Sequence, residues 1–280
     1  MFSSVMSAVG VLVCLGVLGA VILAVASKYL EPRQDPRVAQ VQECLPGVNC
    51  GACGYAGCAD YARAVVAQGA PTNKCVPGGQ KTADAVAQVM GCEAAQAAAP
   101  QKAVVACQGS VDHRGFRFRY EGISSCAAAN QQFSGPTDCR YGCLGYGDCT
   151  RACPFDAIHV ENGVARVDPA RCTGCGACAQ ACPDGIIHVV PESEAPMVFC
   201  ANRDSGAVTR KNCSIGCIGC GKCVRACPNG AITLTDHLAA IDMDACSGCH
   251  ACVEVCPVGA IHLQRRAAPV QPRPAGTRQN

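Results

Sequence analysis

Residues 5 to 27, VMSAVGVLVCLGVLGAVILAVAS, carry no charge. At about 1.5 Å per helical residue such a stretch matches a bilayer hydrocarbon core of ~30 Å, so the pattern predicts one membrane-spanning helix, with its flanks residues 1–30. A cleaved signal peptide is the alternative, because Ala24-Val25-Ala26 resembles a small-residue cleavage site. Against it, residues 1–4 hold no Lys or Arg and the apolar run exceeds a secretory core. Lys28, Arg33 and Arg37 follow directly, which predicts that the rest of the chain lies on the cytoplasmic side of the inner membrane. Beyond the span, apolar positions recur only in short runs. ADYARAVVAQG (59–69) and KTADAVAQVM (81–90) have helical spacing and end near Gly. CPFDAIHVENGVARVDPARC (153–172) and CPNGAITLTDHLAAIDMDAC (227–246) alternate apolar and polar residues around a polar turn, Asn162-Gly163 in the first, which predicts two small β-hairpins. The class expected is α+β.

Cysteine changes this picture most: there are 27 in 280 residues. The spacing C-x2-C-x2-C-x3-C-P occurs at Cys172–Pro183, Cys217–Pro228 and Cys246–Pro257, and a longer variant, C-x3-C-x5-C-x3-C-P, at Cys139–Pro154. Disulfide frameworks staple distant loops, whereas these cysteines crowd too closely to bridge one another readily. Zinc sites favour paired C-x2-C knuckles rather than triplets followed by C-P. The run is that of bacterial ferredoxins, whose fourth cysteine serves the neighbouring [4Fe-4S] cluster. A different set, Cys50, Cys53, Cys58 and Cys75, stands as C-x2-C-x4-C-x16-C within LPGVNCGACGYAGC and NKCVPGG.

An internal repeat organises the remainder. Cys126, Cys139, Cys143, Cys153, Cys172 and Cys182 recur 74 residues later as Cys200, Cys213, Cys217, Cys227, Cys246 and Cys256, which signals duplication. Crossed ligation then joins Cys172, Cys175 and Cys178 to Cys153, and Cys139, Cys143 and Cys149 to Cys182. In the second copy it joins Cys217, Cys220 and Cys223 to Cys256, and Cys246, Cys249 and Cys252 to Cys227. With the unit at Cys50 these make five clusters. Tyr146 stands where Cys220 stands in the second copy, so Cys139 is expected to replace the missing ligand. Cys107, Cys126, Cys200 and Cys213 are assigned to a possible sixth cluster, the alternative being buried reduced thiols. Cys14 lies in the span, and Cys44 and Cys92 are expected to pack. So small an apolar core predicts that metal supplies much of the folding free energy beyond Gln101.

The chain divides into an anchor (1–30), a four-cysteine unit (31–92), a linker and extra-cysteine segment (93–136), two ferredoxin-like modules (137–190 and 191–264) and a basic tail (265–280) expected to be disordered. Net charge is only +2, aromatics are 4% and Trp is absent, which argues against a nucleic-acid partner. No triplet has two His in place of Cys, as a Rieske centre requires, and no dinucleotide fingerprint, Walker loop or nucleophile elbow occurs. No catalytic residue is therefore assigned. Flavin and nicotinamide sites are expected on other chains.

The order of parts resembles RnfB, a component of the Rnf ion-translocating ferredoxin:NAD oxidoreductase complex, over nearly the whole chain. The LPGVNCGACGYAGC unit with its distant Cys75 is the specific signal. The resemblance implies an electron-transfer subunit that accepts electrons from reduced ferredoxin and passes them to membrane partners. It carries ligand roles onto Cys50, Cys53, Cys58 and Cys75 and the matching triplets. The extra cysteines and second module resemble the longer, cluster-rich members of that family. Two other readings are a relay for another membrane enzyme, such as a hydrogenase or quinone reductase, and a non-redox protein stapled by metal or disulfides.

Overall fold

The computed structural model describes residues 2–30 and 35–264; residues 1, 31–34 and 265–280, including the basic tail, lie outside the described residues. The first element, α1 (Phe2–Leu30), is one helix of 29 residues. Over the described residues no helix is long and apolar enough to cross a membrane. Among the described residues Val13, Leu15, Val17, Leu18, Val21, Ile22 and Leu23 are exposed along it.

A helical unit follows. α2 (Pro36–Cys44) begins with Asp35 as N-cap, its side chain accepting the Arg37 amide, and with proline in the first turn. The apolar spacing predicted helices only over 59–69 and 81–90, not here. Val38, Val41 and Leu45 form its buried edge. α3 (Cys58–Gln68) and α4 (Gly79–Met90) each end on a left-handed glycine, Gly69 and Gly91, as their spacing predicted. Tyr61, Val65 and Val86 join α2 in one core. Cys44 packs against that core, but Cys92 is exposed. The packing expectation fails for Cys92 because it follows the turn at Gly91 and leaves the buried face of α4.

The rest is four two-stranded antiparallel sheets with short helices between them. β1 (Gln101–Val105) lies within the segment read as a linker and pairs with β4 (Ile187–Pro191), Ala103 opposite Val189. β2 (Ile158–Glu161) and β3 (Val164–Val167) form the predicted hairpin, with Asn162 and Gly163 both at positive φ. In the second copy β5 (Pro196–Val198) pairs with β8 (Ile261–Leu263), and β6 (Ile232–Thr235) with β7 (Leu238–Ile241) around Asp236-His237. The helices are short: α5 (Cys126–Asn130), α6 (Asp148–Ala152), α7 (Ala177–Ala181), α8 (Gly206–Asn212), α9 (Lys222–Ala226) and α10 (Ala251–Glu254). α6, α7 and α9 stop at Cys153, Cys182 and Cys227, each followed by proline, which cannot continue a helix.

The residue before each of the four cysteine-loop helices α6, α7, α9 and α10 is left-handed: Gly147, Gly176, Gly221 and, in the fourth, His250 at φ 62°. For a residue with a Cβ this region costs about 1–2 kcal/mol. His250→Gly is therefore expected to stabilise the second module by about 1 kcal/mol, part of the gain being lost to glycine's greater freedom when unfolded. Slower chelator-driven loss of colour than in the parent protein is the expected result; equal or faster loss contradicts it.

Candidate metal centres

The first unit brings its four predicted cysteines together. Burial raises the pKa of Cys75, and the neighbouring thiols Cys58, Cys50 and Cys53 push it the same way. Asn49 accepts the Cys58 amide at 2.8 Å and fixes the start of α3. The buried Tyr61 hydroxyl donates to Pro71 O at 2.7 Å and accepts the Lys74 amide at 3.2 Å, holding the loop that carries Cys75. Neither Asn49 nor Tyr61 was picked out from sequence.

In the modules, Cys178 is buried and its pKa pushed up to about 12 by that burial, with Cys172, Cys175 and Cys153 adding to it. This is the predicted crossed set. Its sulfurs receive amides: Ala103 N to Cys172 Sγ and Ala157 N to Cys153 Sγ, both at 3.3 Å. Cys217, Cys220, Cys223 and Cys256 line one hollow, again the predicted set, and Ala260 N donates to Cys256 Sγ at 3.2 Å. Burial raises Cys252 to about 11, with Cys246, Cys223 and Cys249 contributing, and Cys227 packs in the same small core.

Two cysteines trade places relative to expectation. Cys126, Cys143, Cys149 and Cys182 line one hollow, so Cys126 occupies the room left by Tyr146, whose ring stacks edgewise on Tyr120. Cys107, Cys139, Cys200 and Cys213 line another. Burial pushes Cys139 up to about 12, and the other three thiols of that hollow push the same way. The sequence grouping of Cys139 with Cys143, Cys149 and Cys182 is thus corrected. Asp148 explains half of the exchange. Its carboxylate accepts the Cys126 and Ala127 amides at 2.9 and 3.0 Å and the Ser125 hydroxyl at 2.9 Å, with Arg151 beside it. Burial works to raise the Asp148 pKa, but these donors and Arg151 outweigh it and hold the pKa below the usual carboxylate value. This clamp sets α5 against α6 and brings Cys126 to Cys149. The other half is backbone: Asp138 N donates to Gly115 O at 3.0 Å, and Arg114 bridges to Cys213, which turns Cys139 toward the second copy.

Asp148→Ala removes a carboxylate with four donors, Arg151 among them, each such charged hydrogen bond contributing about 1.5–3 kcal/mol. Supporting groups of this kind typically alter metal affinity by about 10–100-fold. Loss of one cluster's worth of colour well ahead of the rest on chelation is expected; uniform loss contradicts the clamp.

Among the described residues no three His, Cys, Asp or Glu side chains close on a point that a single ion could fill. A cubane asks for something different, four thiolates spread over four irons. The donor sets fit that group: each is all-sulfur, and in the modules amides point at the sulfurs. Around the Cys107 hollow the fit is sharper. Gln108 Nε2, Arg114 Nε and Asn202 Nδ2 are buried without a partner, and these three residues line it.

Family models for a putative Fe-S cluster, a 4Fe-4S binding domain and a 4Fe-4S dicluster domain match residues 45–77, 165–188 and 216–260. The cofactors are [4Fe-4S] clusters. The chain is 43% identical over 245 residues to the B subunit of the Na(+)-translocating ferredoxin:NAD(+) oxidoreductase complex of Acetobacterium woodii, covering 87% of this chain and 73% of that one. The chain belongs to the RnfB family. The proton-translocating counterpart of Clostridium ljungdahlii is 43% identical, over 83% of this chain and 82% of its own. The like-named component of the ion-translocating oxidoreductase complex of Methanosarcina acetivorans is 40% identical, over 87% and 92%. RnfB relatives from Vibrio species match only 56% of this chain, in keeping with the doubled module here.

Proposed function

We propose that this chain is the electron-relay subunit of a membrane-bound, ion-translocating ferredoxin:NAD+ oxidoreductase, taking electrons from reduced soluble ferredoxin and handing them to the membrane subunits. The observation that carries the reading is the single file of four-cysteine groups. Cys50 is among the thiols that raise Cys175, so the first unit abuts the Cys153/Cys172/Cys175/Cys178 group. Cys149 neighbours Cys178 and Cys182, which leads to the Cys126 group. Cys143 N donates to Cys107 Sγ at 3.4 Å, and Cys217 N to Cys200 Sγ at 3.3 Å, so the Cys107/Cys139/Cys200/Cys213 group stands between the two modules. Cys223 neighbours Cys252 and closes the file.

Six [4Fe-4S] clusters would supply one-electron carriers along this path. The chain's own part is to set their spacing, keep water from the buried sulfurs and donate amides to them. The repeat boundaries follow the same reading, with modules at 137–190 and 191–264 and the four-cysteine unit at 31–92. Residues 5–27 would anchor the chain as a single-pass helix, with Lys28, Arg33 and Arg37 keeping the clusters on the cytoplasmic side.

A pull-down from gently solubilised membranes tests the assembly. Co-purification of subunits that bind flavin and nicotinamide, with reduced ferredoxin bleaching the chain's visible absorbance, is the expected outcome. A chain that purifies alone from the soluble fraction and ignores ferredoxin contradicts it.

A further inference from the structure

The hollow between the two modules differs from the other cysteine groups in what surrounds it. We infer that Arg114, with Asn202, is a potential-setting residue that makes the cluster at Cys107, Cys139, Cys200 and Cys213 the most readily reduced of the six. The inference deepens the relay reading above and rests on a cluster being held there.

Arg114 is 8% exposed, and a buried guanidinium without an anion carries a large desolvation cost. Its Nη2 donates to Gly163 O at 2.7 Å and its Nη1 to Cys143 O, both neutral acceptors. Its Nε has no partner. No carboxylate pairs with it among the described residues, although eight other Arg and Lys side chains form ion pairs there. Its guanidinium lies over the Phe116 ring, 5.7 Å from the centroid, and the residue lines the hollow of Cys107, Cys139, Cys200 and Cys213. A Cβ built on Gly142 would lie 3.6 Å from Cys139 Sγ and 3.7 Å from Arg114 Nη1, and one on Gly109 3.4 Å from Cys213 Sγ and 3.9 Å from Arg114 Cδ. Arg114 and the cysteines thus share one wall, with Gly109 and Gly142 beside both.

Asn202 supplies a second donor. It is 1% exposed, and its Oδ1 accepts the Asp204 amide at 2.7 Å while its Nδ2 is unpartnered. Three backbone amides also reach this group: Cys143 N on Cys107 Sγ, and Asn202 N and Cys217 N on Cys200 Sγ, at 3.3–3.4 Å. Backbone amides reach sulfurs of the other groups too, Cys172, Cys153, Cys143 and Cys256 among them, so the arginine and the asparagine are what set this hollow apart. Adding an electron makes a cluster more negative, so a fixed cation and N–H donors aimed at its sulfur favour the reduced form and raise its potential. Both sit on the one cluster that joins the two modules, which would make it the place where electrons from either side collect.

The test is a redox titration followed by electron paramagnetic resonance on the purified full chain, beside Arg114→Gln, Arg114→Lys and Asn202→Asp. Asn202→Asp keeps the oxygen that accepts the Asp204 amide and replaces the free donor by an acceptor, so it guards against a folding defect in the arginine variants. The midpoint missing from Cys139→Ala identifies the cluster. In the parent protein it should be the highest of the six. Arg114→Gln and Asn202→Asp should each lower it at least tenfold in the reduction equilibrium, about 59 mV for one electron. Arg114→Lys should lower it less, and the other five should stay put. Six clusters with that midpoint unmoved in both Arg114→Gln and Asn202→Asp, or not the highest, overturns the role given to Arg114 and Asn202. Five clusters in the parent protein, about 20 iron atoms, overturns the site itself.

Discussion

Stripping the iron anaerobically is expected to unfold everything beyond Gln101 while leaving a helical remnant in the first unit. The second module's buried core is Cys223, Ile232, Ala239, Cys252 and Ile261. Two of those five are candidate ligands, and the three others bury at most about 1.5–3 kcal/mol each. Its strands are three or four residues long, too short for sheets of two strands to hold alone. Thiolate–iron bonds tie the ends of each module together, so metal binding and folding are one equilibrium. The first unit differs, because Val38, Val41, Tyr61, Val65 and Val86 pack three longer helices around a core in which only Cys75 is a buried candidate ligand. Far-ultraviolet circular dichroism should fall to a residual helical signal, and near-ultraviolet signals should vanish. Native-like spectra after complete iron removal would show that the protein fold stands without its clusters.

The exchange of Cys126 and Cys139 makes a prediction of equal size, readable from iron content alone. Removing any ligand of one cubane removes about four iron atoms per chain. If Cys139 and Cys213 hold the same cluster, the double variant Cys139→Ala/Cys213→Ala loses no more than either single one and keeps about 20 of ~24 atoms. Cys126→Ala/Cys213→Ala should instead lose two clusters and keep about 16. The grouping suggested by sequence spacing demands the reverse result for both pairs. Loss of the Cys139 cluster should also split the relay, so that reduction by ferredoxin reaches one module and not the other.

Much of this was legible in the chain itself because ferredoxin loops are local. Cys172 to Cys182 and Cys217 to Cys227 declare their roles by spacing, the Asn162-Gly163 turn announces its hairpin, and the 74-residue repeat shows that the module is doubled. What sequence did not disclose depends on contacts between loops. Tyr146 advertises a missing ligand, yet which cysteine fills the gap is decided by the Asp148 carboxylate on the amides of Cys126 and Ala127. Aspartate before a cysteine has no spacing that says so. α2 was hidden because its start carries the charges of Asp35 and Arg37, although Asp35, Pro36 and the Val38–Val41–Leu45 spacing are a helix start. His250 stands between Cys249 and Cys252 with nothing in the spacing to mark it, and its backbone takes the left-handed place that glycine holds in the other three loops.

That six cubanes stand in file along this chain is tested most directly by anaerobic purification, with iron, acid-labile sulfide and spin counted on the same sample. The expected result is about 24 atoms each of iron and sulfide per chain and six clusters reducible by one electron. A colourless protein with its iron supply intact, or one carrying zinc in these loops and silent on reduction, would contradict it.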